Sequence, residues 1–496
     1  MKVLQKAKAL FVHFNDSGVI YCHWKSNEHL LEGLAGLTDL DVLVEKEQRD
    51  LASGILERNG YIRLSSQYGS RYPGVEDWIA CDEEEGALIH IHLHYEIVTG
   101  HAGLKEFNLP WRELALSTRV LNEEYQVYMT DPNLEIVLLL TRIGLKATAR
   151  TRLRAMLGRY ALSKDDVKEL EYLNRRIDLK AAASIAGPYY GDRTEELLSL
   201  HECSEYKSEW ILKLMAVTNQ KMKKWSRFRP VPLAILKKHY AFTLFLRRAL
   251  KKLFKIRLVS KKCLPAGSDV SIAIVGQDGA GKSTVIRDLH AWLSWKLDVQ
   301  QYYMGCGDGY DSPVKRLMVF CSAKLKNKPL ALLLSILHFL LVARHVKRNI
   351  RSAKAFSEKG SVILFDRYPQ TQYFGINDGP KIREITHRHQ LPSAALAITK
   401  KLADYEEKCY ALAAGTAPSA VIKLVLPPEE SIRRKPGESM EDVTKKHQII
   451  SDLAFPGSET LTVDATMDYA EETTMIRNAI WRIIEQKASA CRDRRG

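Results

Sequence analysis

The C-terminal part of the chain alternates short apolar runs with segments of helical periodicity. Its first run, residues 270–275, is uninterrupted and rich in β-branched side chains, which is typical of a strand buried on both faces of a parallel sheet. Strands that alternate with helices predict a doubly wound α/β fold. Four further apolar runs continue the pattern, at residues 299–304, 361–365, 420–426 and 461–463.

The N-terminal part mixes helical and strand periodicities. Residues 2–14 have helical spacing, residues 19–23 predict a short strand, and residues 38–44 (TDLDVLV) predict a second strand. We therefore expect an α+β domain over residues 1–130.

Helical periodicity dominates the middle of the chain. Residues 134–145 and 149–162 predict helices, and we expect Gly187 and Pro188 to break the helical run. A chain of 496 residues is too long for a single core. The sequence therefore predicts three regions: an N-terminal domain (1–130), a helical basic region (131–262) and a C-terminal α/β domain (263–496).

Positive charge is concentrated in the middle region. The whole chain has a formal charge of +15, and residues 142–262 alone contain 29 Lys or Arg against 11 Asp or Glu. Residues 221–262 contain 15 basic residues and no acidic one, interleaved with apolar residues over 233–258. This pattern predicts a basic amphipathic helix. Three roles stay open: packing as a linker helix, lying on an anionic membrane surface, or, less favoured, binding nucleic acid phosphates.

Cysteine usage favours a reducing compartment. The eight cysteines are scattered without a C-x-x-C pair, which argues against a disulfide framework or a zinc knuckle. The apolar run at residues 329–343 falls short of a membrane span. We expect a cytoplasmic protein, with the basic segment as a candidate contact to the inner face of the membrane.

A phosphate-binding motif follows the first C-terminal strand. Gly276, Gly281, Lys282 and Ser283 satisfy G-x-x-x-x-G-K-[ST] between a strand and a helix. Backbone N–H groups of such a loop surround phosphate oxygens, the lysine reaches the β- and γ-phosphates, and the hydroxyl binds Mg²⁺. We expect ATP to contact Gly276, Asp278, Gly279, Gly281, Lys282, Ser283 and Thr284.

The last ~230 residues resemble the thymidylate kinase family. Residues 276–284 match its G-x-D-G-A-G-K-[ST]-T loop, Asp366-Arg367-Tyr368 match its D-R-[YFH] triplet, and residues 428–435 match its P-E-x-x-x-x-R-K segment. The resemblance implies that Arg367 grips the acceptor and that Asp366 helps Ser283 to organise magnesium. It also implies that Asp278 faces an acceptor hydroxyl and that residues 433–446, with Arg434, close over ATP.

The acceptor side of this resemblance is altered. Where the family has an R-E-P-G turn, this chain has Met304-Gly305-Cys306-Gly307, and residues 369–372 also depart from the family pattern. We expect ATP- and Mg²⁺-dependent phosphoryl transfer to a nucleoside monophosphate or a related small acceptor. A sugar or glycan of surface-polysaccharide synthesis is the alternative acceptor, and a non-enzymatic nucleotide-gated sensor is a third possibility.

The N-terminal region resembles the nucleotidyltransferase superfamily. Gly36, Thr38, Asp39 and Asp41 match its G-x-[ST]-D-x-D strand, and residues 91–95 match its later I-D-L-H-aromatic strand except at His92. The resemblance implies a metal site at Asp39 and Asp41. Because His92 replaces the third carboxylate, nucleotidyl transfer is expected to be weak or absent. A purely structural domain and retained nucleotide or metal binding both stay open.

Three histidines alternate along the second of these strands. His90, His92 and His94 share one face, since residues two apart point the same way. Three ligands from one strand rarely converge on a tetrahedral ion. The sequence therefore favours a polar strand face, hydrogen-bonded to the two aspartates, over a metal cluster.

Overall fold

The computed structural model describes most of the chain. The described residues are 1–66, 72, 74–101, 103–203, 205–253, 258–259, 261–305, 316–317, 328–375, 378–387, 393–437 and 439–494. Two compact units, Met1–Ser260 and Lys261–Gly496, are present. Among the described residues, no helix is both long and apolar enough to cross a membrane.

The first unit contains eleven helices and nine strands in its described part. The helices are α1 (Gln5–Asp16), α2 (Leu30–Leu34), α3 (Arg49–Arg58), α4 (Arg112–Ser117), α5 (Pro132–Lys146), α6 (Ala149–Met156), α7 (Lys164–Asn174), α8 (Leu179–Tyr190), α9 (Thr194–Leu198), α10 (Ser208–Met222) and α11 (Pro230–Leu253). The strands are β1 (Tyr21–His23), β2 (Leu40–Val44), β3 (Ile62–Arg63), β4 (Val75–Asp82), β5 (Ala87–His94), β6 (Ile97–Thr99), β7 (Phe107–Leu109), β8 (Val120–Asn122) and β9 (Val127–Met129).

A seven-stranded mixed sheet forms the framework of this unit, in the order β3-β4-β5-β2-β1-β9-β8. Strands β2 and β5 run parallel with Asp41 opposite His92, and β4 pairs with β5 in antiparallel fashion with Asp77 opposite His92. This register places the polar residues of three neighbouring strands at the same height on the sheet.

The helices of the middle region pack on the strands that precede them. Trp24 and Trp111 share one hydrophobic cluster with Leu138 of α5 and Trp210 of α10, all fully or almost fully buried. Burying such large side chains removes apolar area from water and holds the helices to the sheet. The separation of this unit into domains at residue 130 stays a prediction.

The second unit is built on a parallel sheet, as the apolar runs predict. Its strands are β10 (Ser271–Gly276), β11 (Val299–Tyr303), β12 (Val362–Asp366), β13 (Ala420–Val425) and β14 (Glu459–Asp464), in the order β11-β12-β10-β13-β14, and all four pairs are parallel. Its helices in the described residues are α12 (Lys282–Leu293), α13 (Lys328–Ser357), α14 (Ile382–His387), α15 (Ser393–Ala414), α16 (Pro428–Arg434), α17 (Met440–Asp452) and α18 (Tyr469–Asp493).

Three helix boundaries predicted from the sequence are wrong. Helix α8 continues through Gly187 and Pro188, because the proline lies close to the helix end and Gly191 at φ +58° provides the stop. Helix α6 ends at Met156, six residues before the predicted end. Helix α11 ends at Leu253, and Leu258 lies outside it.

Candidate functional site

The phosphate-binding loop connects β10 to α12 in the second unit. Gly279 and Gly281 both adopt φ +82°, a left-handed backbone that favours glycine, and Gly281 is the N-cap of α12. A Cβ at Gly276 would lie 2.6 Å from the carbonyl oxygen of Leu424, so only glycine lets the loop leave the strand beside β13. The helix N-terminus therefore faces the concave side of the loop, where anions are favoured.

The lysine of this loop is buried and turned inward. Lys282 Nζ donates to the carbonyl oxygen of Gln277 at 2.7 Å. Burial, and then the nearby charge of Arg367, lower the pKa of Lys282 to about 8. Ser283 and Thr284 follow in the first turn of α12, and the Ser283 side chain is exposed. With a pKa of about 8, the lysine is still mostly protonated at pH 7.

The end of β12 brings an arginine to the loop. Arg367 follows Asp366 directly and has φ +69°, which is uncommon outside glycine. Its guanidinium lies 3.8 Å from Asp278 of the loop and 3.6 Å from Asp378. Burial alone would lower the pKa of Arg367, but Asp378, Tyr303 and Asp278 raise it above the ordinary value.

The neighbouring aspartates respond to the same burial and charges. Burial raises the pKa of Asp366 above its ordinary value, and Arg367 and Lys282 only partly offset this effect. Burial also raises the pKa of Asp378. The pKa of Asp278, in contrast, is lowered because the positive charges around it, Lys282 first, outweigh the effect of its burial.

Cations from the segment after β13 approach the same aspartate. Lys435 and Lys446 lie 3.9 Å and 3.8 Å from Asp278, on its two carboxylate oxygens. Arg434 donates to Glu430 at 2.8 Å and to the carbonyl oxygen of Ala465 at 3.1 Å. The described part of the predicted ATP-closing segment thus contributes two lysines at the loop, while the guanidinium of Arg434 bonds to Glu430 of its own helix and to the backbone after β14. Glu438 lies outside the described residues.

One contributor to this site was missed by sequence motifs, and one residue of the predicted acceptor turn has a defined place in it. Asp378 lies in a loop with φ +61°, and the Asp-Gly-Pro sequence at 378–380 is typical of a turn but says nothing of an ion pair. At Gly305, a Cβ would lie 2.5 Å from Arg367 Cδ, so the glycine leaves room for that arginine. The altered acceptor turn is described only to Gly305, because Cys306 and Gly307 lie outside the described residues.

A second polar cluster lies in the first unit. Asp39 immediately precedes β2 and Asp41 lies within it, and both carboxylates approach His92 Nδ1, at 4.0 Å and 3.2 Å. His90 Nδ1 lies 2.9 Å from Asp39 Oδ1, and His94 Nε2 lies 3.0 Å from Asp41 Oδ1. The structure therefore brings together both predicted aspartates and all three histidines.

The turn after β1 supplies a lysine to this cluster. Lys25 Nζ lies 2.8 Å from Asp41 Oδ1. Burial would raise the pKa of Asp41, but Lys25, and then His92 and His94, hold it well below its usual range. Glu135 and Glu169 of the middle helices accept hydrogen bonds from the two residues after Lys25 and fix the turn.

Further cations surround the same turn. Lys25 and Arg142 lie over the ring of Trp24, 5.0 Å and 5.6 Å from its centroid. The charge of Arg142, and then burial, lower the pKa of Lys146 to about 7. Burial, and then Lys25, lower the pKa of Lys105 to about 8. Crowded cations of this kind favour an anionic ligand.

Helix α11 carries the basic segment. Lys237 Nζ lies 2.6 Å from Glu106 Oε1, and Tyr240 packs edge-on against His101. Phe242 and Phe245 lie 63% and 68% exposed. One side of the helix thus contacts its own unit while aromatic side chains face outward; residues 254–257 and Ser260 of the predicted segment lie outside the described residues.

Known proteins resemble part of the chain. No family model matches it. The chain is 28% identical over 224 residues to the uncharacterized ATP-binding protein YghR of Escherichia coli K12. The aligned region covers 42% of this chain and 86% of YghR. The chain is 26% identical over 209 residues to the uncharacterized ATP-binding protein YghS of the same strain, covering 39% and 84%. A deoxyadenosine kinase from M. mycoides with bound dATP covers 42% of this chain and 99% of its own at 19% identity, but the TM-score of 0.27 does not establish a shared fold.

Proposed function

We propose that the second unit is a P-loop kinase that transfers the γ-phosphoryl group of ATP to a nucleoside monophosphate or a related small acceptor. The contact between Arg367 and Asp278 carries this proposal, because it joins a phosphate-gripping arginine to the nucleotide loop. Phosphoryl transfer needs positioned cations around the transferred group, and Lys282 and Arg367 are both next to the loop. The relatives named as ATP-binding proteins support ATP as the donor.

Magnesium fits two side chains near the loop, one in the first turn of α12 and one at the end of β12. The exposed Ser283 hydroxyl and the Asp366 carboxylate are oxygen ligands of the type that Mg²⁺ prefers. When bound there, the ion neutralises phosphate charge. We infer that Lys282 contacts the transferred phosphoryl group, that Arg367 holds the acceptor, and that Arg434 takes part once the segment after α16 closes.

Acceptor screening tests this proposal. The full chain is incubated with ATP, Mg²⁺ and a panel of nucleoside monophosphates, sugars and glycans, and phosphorylated products are identified by mass spectrometry. Lys282→Ala is expected to lower transfer by about a hundredfold or more, because it removes a cation from developing charge. Lys296→Ala, a surface lysine of the same unit, is the matched control. Transfer by Lys282→Ala at the parental rate would refute the kinase proposal, and ATP binding without transfer to any acceptor or water would favour the sensor.

A glycan acceptor at a membrane is the second candidate. The outward-facing Phe242 and Phe245 on a basic helix favour it, since an amphipathic surface of this kind binds anionic bilayers. Sedimentation with anionic and with neutral vesicles at two salt concentrations tests the surface. Binding to anionic vesicles that weakens with salt supports the candidate, and a chain that stays in the supernatant contradicts it. Nucleic acid is the less favoured partner of the same helix.

For the first unit we propose a nucleotidyltransferase-like domain with weak transfer activity or none. Asp39 and Asp41 would form its metal site, as the resemblance implies, and the cations around Lys25 favour a phosphorylated ligand. His92 supplies a nitrogen where magnesium would need a carboxylate oxygen, so the residues do not fit a two-magnesium site. Robust nucleotidyl transfer by the parent chain that is lost in Asp39→Asn would overturn this assignment.

A further inference from the structure

Two histidines of the first unit lie among carboxylates, His90 near two and His92 near three. His90 places Nδ1 2.9 Å from Asp39 Oδ1 and Nε2 3.6 Å from Asp77 Oδ1. His92 places Nδ1 between Asp41 and Asp39, at 3.2 Å and 4.0 Å, and Nε2 3.2 Å from Asp77 Oδ1. The contacts join residues of β4 and β5 with residues at and before β2.

A carboxylate oxygen only accepts hydrogen bonds, so the imidazole nitrogens donate in these contacts, and a metal ion bound at Nδ1 would replace the proton there. Asp77, whose Oδ2 accepts from Ser66 Oγ at 2.7 Å, is placed to accept from His92 Nε2–H at 3.2 Å, while His90 Nε2 lies 3.6 Å away. Asp39 lies near Nδ1 of both rings, closer to His90 than to His92, whose Nδ1 is nearer to Asp41. Metal-ligating histidines are oriented in this way by a carboxylate on the far nitrogen.

We propose that Asp39, His90 and His92 bind one divalent transition-metal ion per chain, of the class of Zn²⁺, Co²⁺ or Fe²⁺. Their ligand atoms all lie within 4.8 Å of one another. Atoms bound tetrahedrally at about 2.1 Å are about 3.4 Å apart, so small side-chain adjustments complete the site. Two imidazoles and one carboxylate form the ligand set that catalytic zinc and non-haem iron use with open positions.

A neighbouring set, Asp41, His92 and His94, fits less well. Asp41 Oδ1 already lies 2.8 Å from Lys25 Nζ, and a second cation at that oxygen would be repelled. Two of the proposed ligands lie on β5, the third immediately precedes β2, and Asp77 on β4 supports them, so the site does not require three residues of one strand to converge. The inference deepens the assignment of a metal site to the first unit, and it replaces magnesium by an ion that accepts nitrogen ligands.

Metal titration of the untagged full chain tests the proposal. After dialysis against EDTA, isothermal titration with Zn²⁺ is expected to give a site that Asp39→Asn and His92→Gln weaken at least about tenfold. Asp77→Asn, which does not touch the ion, should weaken Zn²⁺ binding about 10–100-fold. The exposed His13 provides the matched control, His13→Gln. Thermal unfolding in EDTA checks each fold, and Asp39, with a side chain 26% exposed, tolerates substitution best.

Co²⁺ and Mg²⁺ separate the remaining outcomes. The visible absorption of bound Co²⁺ should change in His90→Gln and persist in His94→Gln, and the reverse result would overturn the ligand assignment. His92→Asp should shift preference from Zn²⁺ toward Mg²⁺. Equal Zn²⁺ binding by the parent and Asp39→Asn, or equal affinity of the parent for Mg²⁺ and Zn²⁺, would refute the proposal. If the chain binds Zn²⁺ at Asp39 but transfers no phosphoryl group, the kinase proposal is refuted and the metal site is not.

Discussion

Arg367 and Asp378 both hold a left-handed backbone, at φ +69° and +61°, and their side chains form an ion pair with 3.6 Å between Nη1 and Oδ2. Left-handed conformations of non-glycine residues cost free energy and persist where the surroundings enforce them. The carbonyl oxygen of Ile274 accepts from the Arg367 N–H at 3.0 Å, which ties this backbone to the central strand. The guanidinium is therefore directed by its backbone, by Asp378 and by Asp278.

Asp378→Asn is expected to lower phosphoryl transfer about tenfold with little change in ATP affinity, because Arg367 loses one of the two carboxylates that orient it. Stability should change little, because burial raises the pKa of Asp378 and so already disfavours its charged form, and Arg367 keeps its contact with Asp278. Asp404→Asn is the matched control: it removes a surface carboxylate paired with Arg383 at 2.8 Å, and such pairs contribute about 0–1 kcal/mol. Steady-state kinetics measures transfer, and denaturant unfolding measures stability. An equal loss of phosphoryl transfer in Asp378→Asn and Asp404→Asn would contradict the prediction.

ATP affinity is expected to fall as the pH rises above about 8. Burial and the charge of Arg367 lower the pKa of Lys282 to about 8, so the loop loses its cation above that pH. The affinity for ATP should then fall by at most about tenfold per pH unit. Between about pH 10.5 and pH 8 the unfolded chain takes up a proton at this lysine that the folded chain does not. The same pKa shift therefore lowers the stability of the folded state as the pH falls through this range.

Calorimetric ATP binding between pH 7 and 9.5 measures this dependence. Lys282→Arg keeps its charge throughout the range and provides the control. An identical pH dependence in the parent and in Lys282→Arg would assign the effect to other groups.

The sequence predicts the parallel sheet and the nucleotide loop well, because both depend on local signals. An unbroken apolar run specifies β10, and fixed glycines specify the loop that follows. Asp378 and Asp77 could not be found in this way. Each acts through a partner that is distant along the chain, Arg367 for the first and two histidines for the second, and only the register of the strands and the path of a loop bring them together.

The boundaries that the sequence misplaces also have local causes. Helix α8 runs only two residues past Pro188, and Gly191 at φ +58° stops it, so the Gly187-Pro188 signal places the helix end slightly too early. Asp39 and Asp41 were expected in one strand, whereas β2 begins at Leu40. Asp39 nevertheless reaches His90, because β2 and β5 are paired in register beside it.

Lys146→Met is expected to weaken the binding of anions by the first unit and to change its stability little. The charge of Arg142 lowers the pKa of Lys146. Because Lys146 is exposed at the surface, solvent screens this repulsion and little folding free energy depends on it. Removing the amine removes one anion-binding charge.

Thermal unfolding with and without tripolyphosphate measures both effects. The comparison is made in a Lys282→Ala background, so that the nucleotide loop does not contribute. Lys164→Met, at the start of α7, is the control. A parent whose midpoint does not change with tripolyphosphate would argue against an anion site beside Lys25.

The exposed aromatic side chains of α11 are expected to contribute more to vesicle binding than any single lysine. Transferring a phenylalanine from water to the bilayer interface gains up to about 1.5–3 kcal/mol, whereas each basic residue near an anionic surface contributes about 1 kcal/mol. Phe242→Ser combined with Phe245→Ser should therefore lower the partition coefficient by up to about a hundredfold, and Lys238→Gln by about fivefold.

The salt dependence separates the two contributions. Binding that the phenylalanines support should persist at high salt, while the contribution of Lys238 should vanish there, because salt screens exposed charges within a Debye length. Leu153→Ser removes an exposed apolar residue of α6 and controls for general surface hydrophobicity. If Leu153→Ser and the double phenylalanine variant weaken binding equally, α11 is not the membrane contact, and the main structural support for a membrane-bound acceptor is lost.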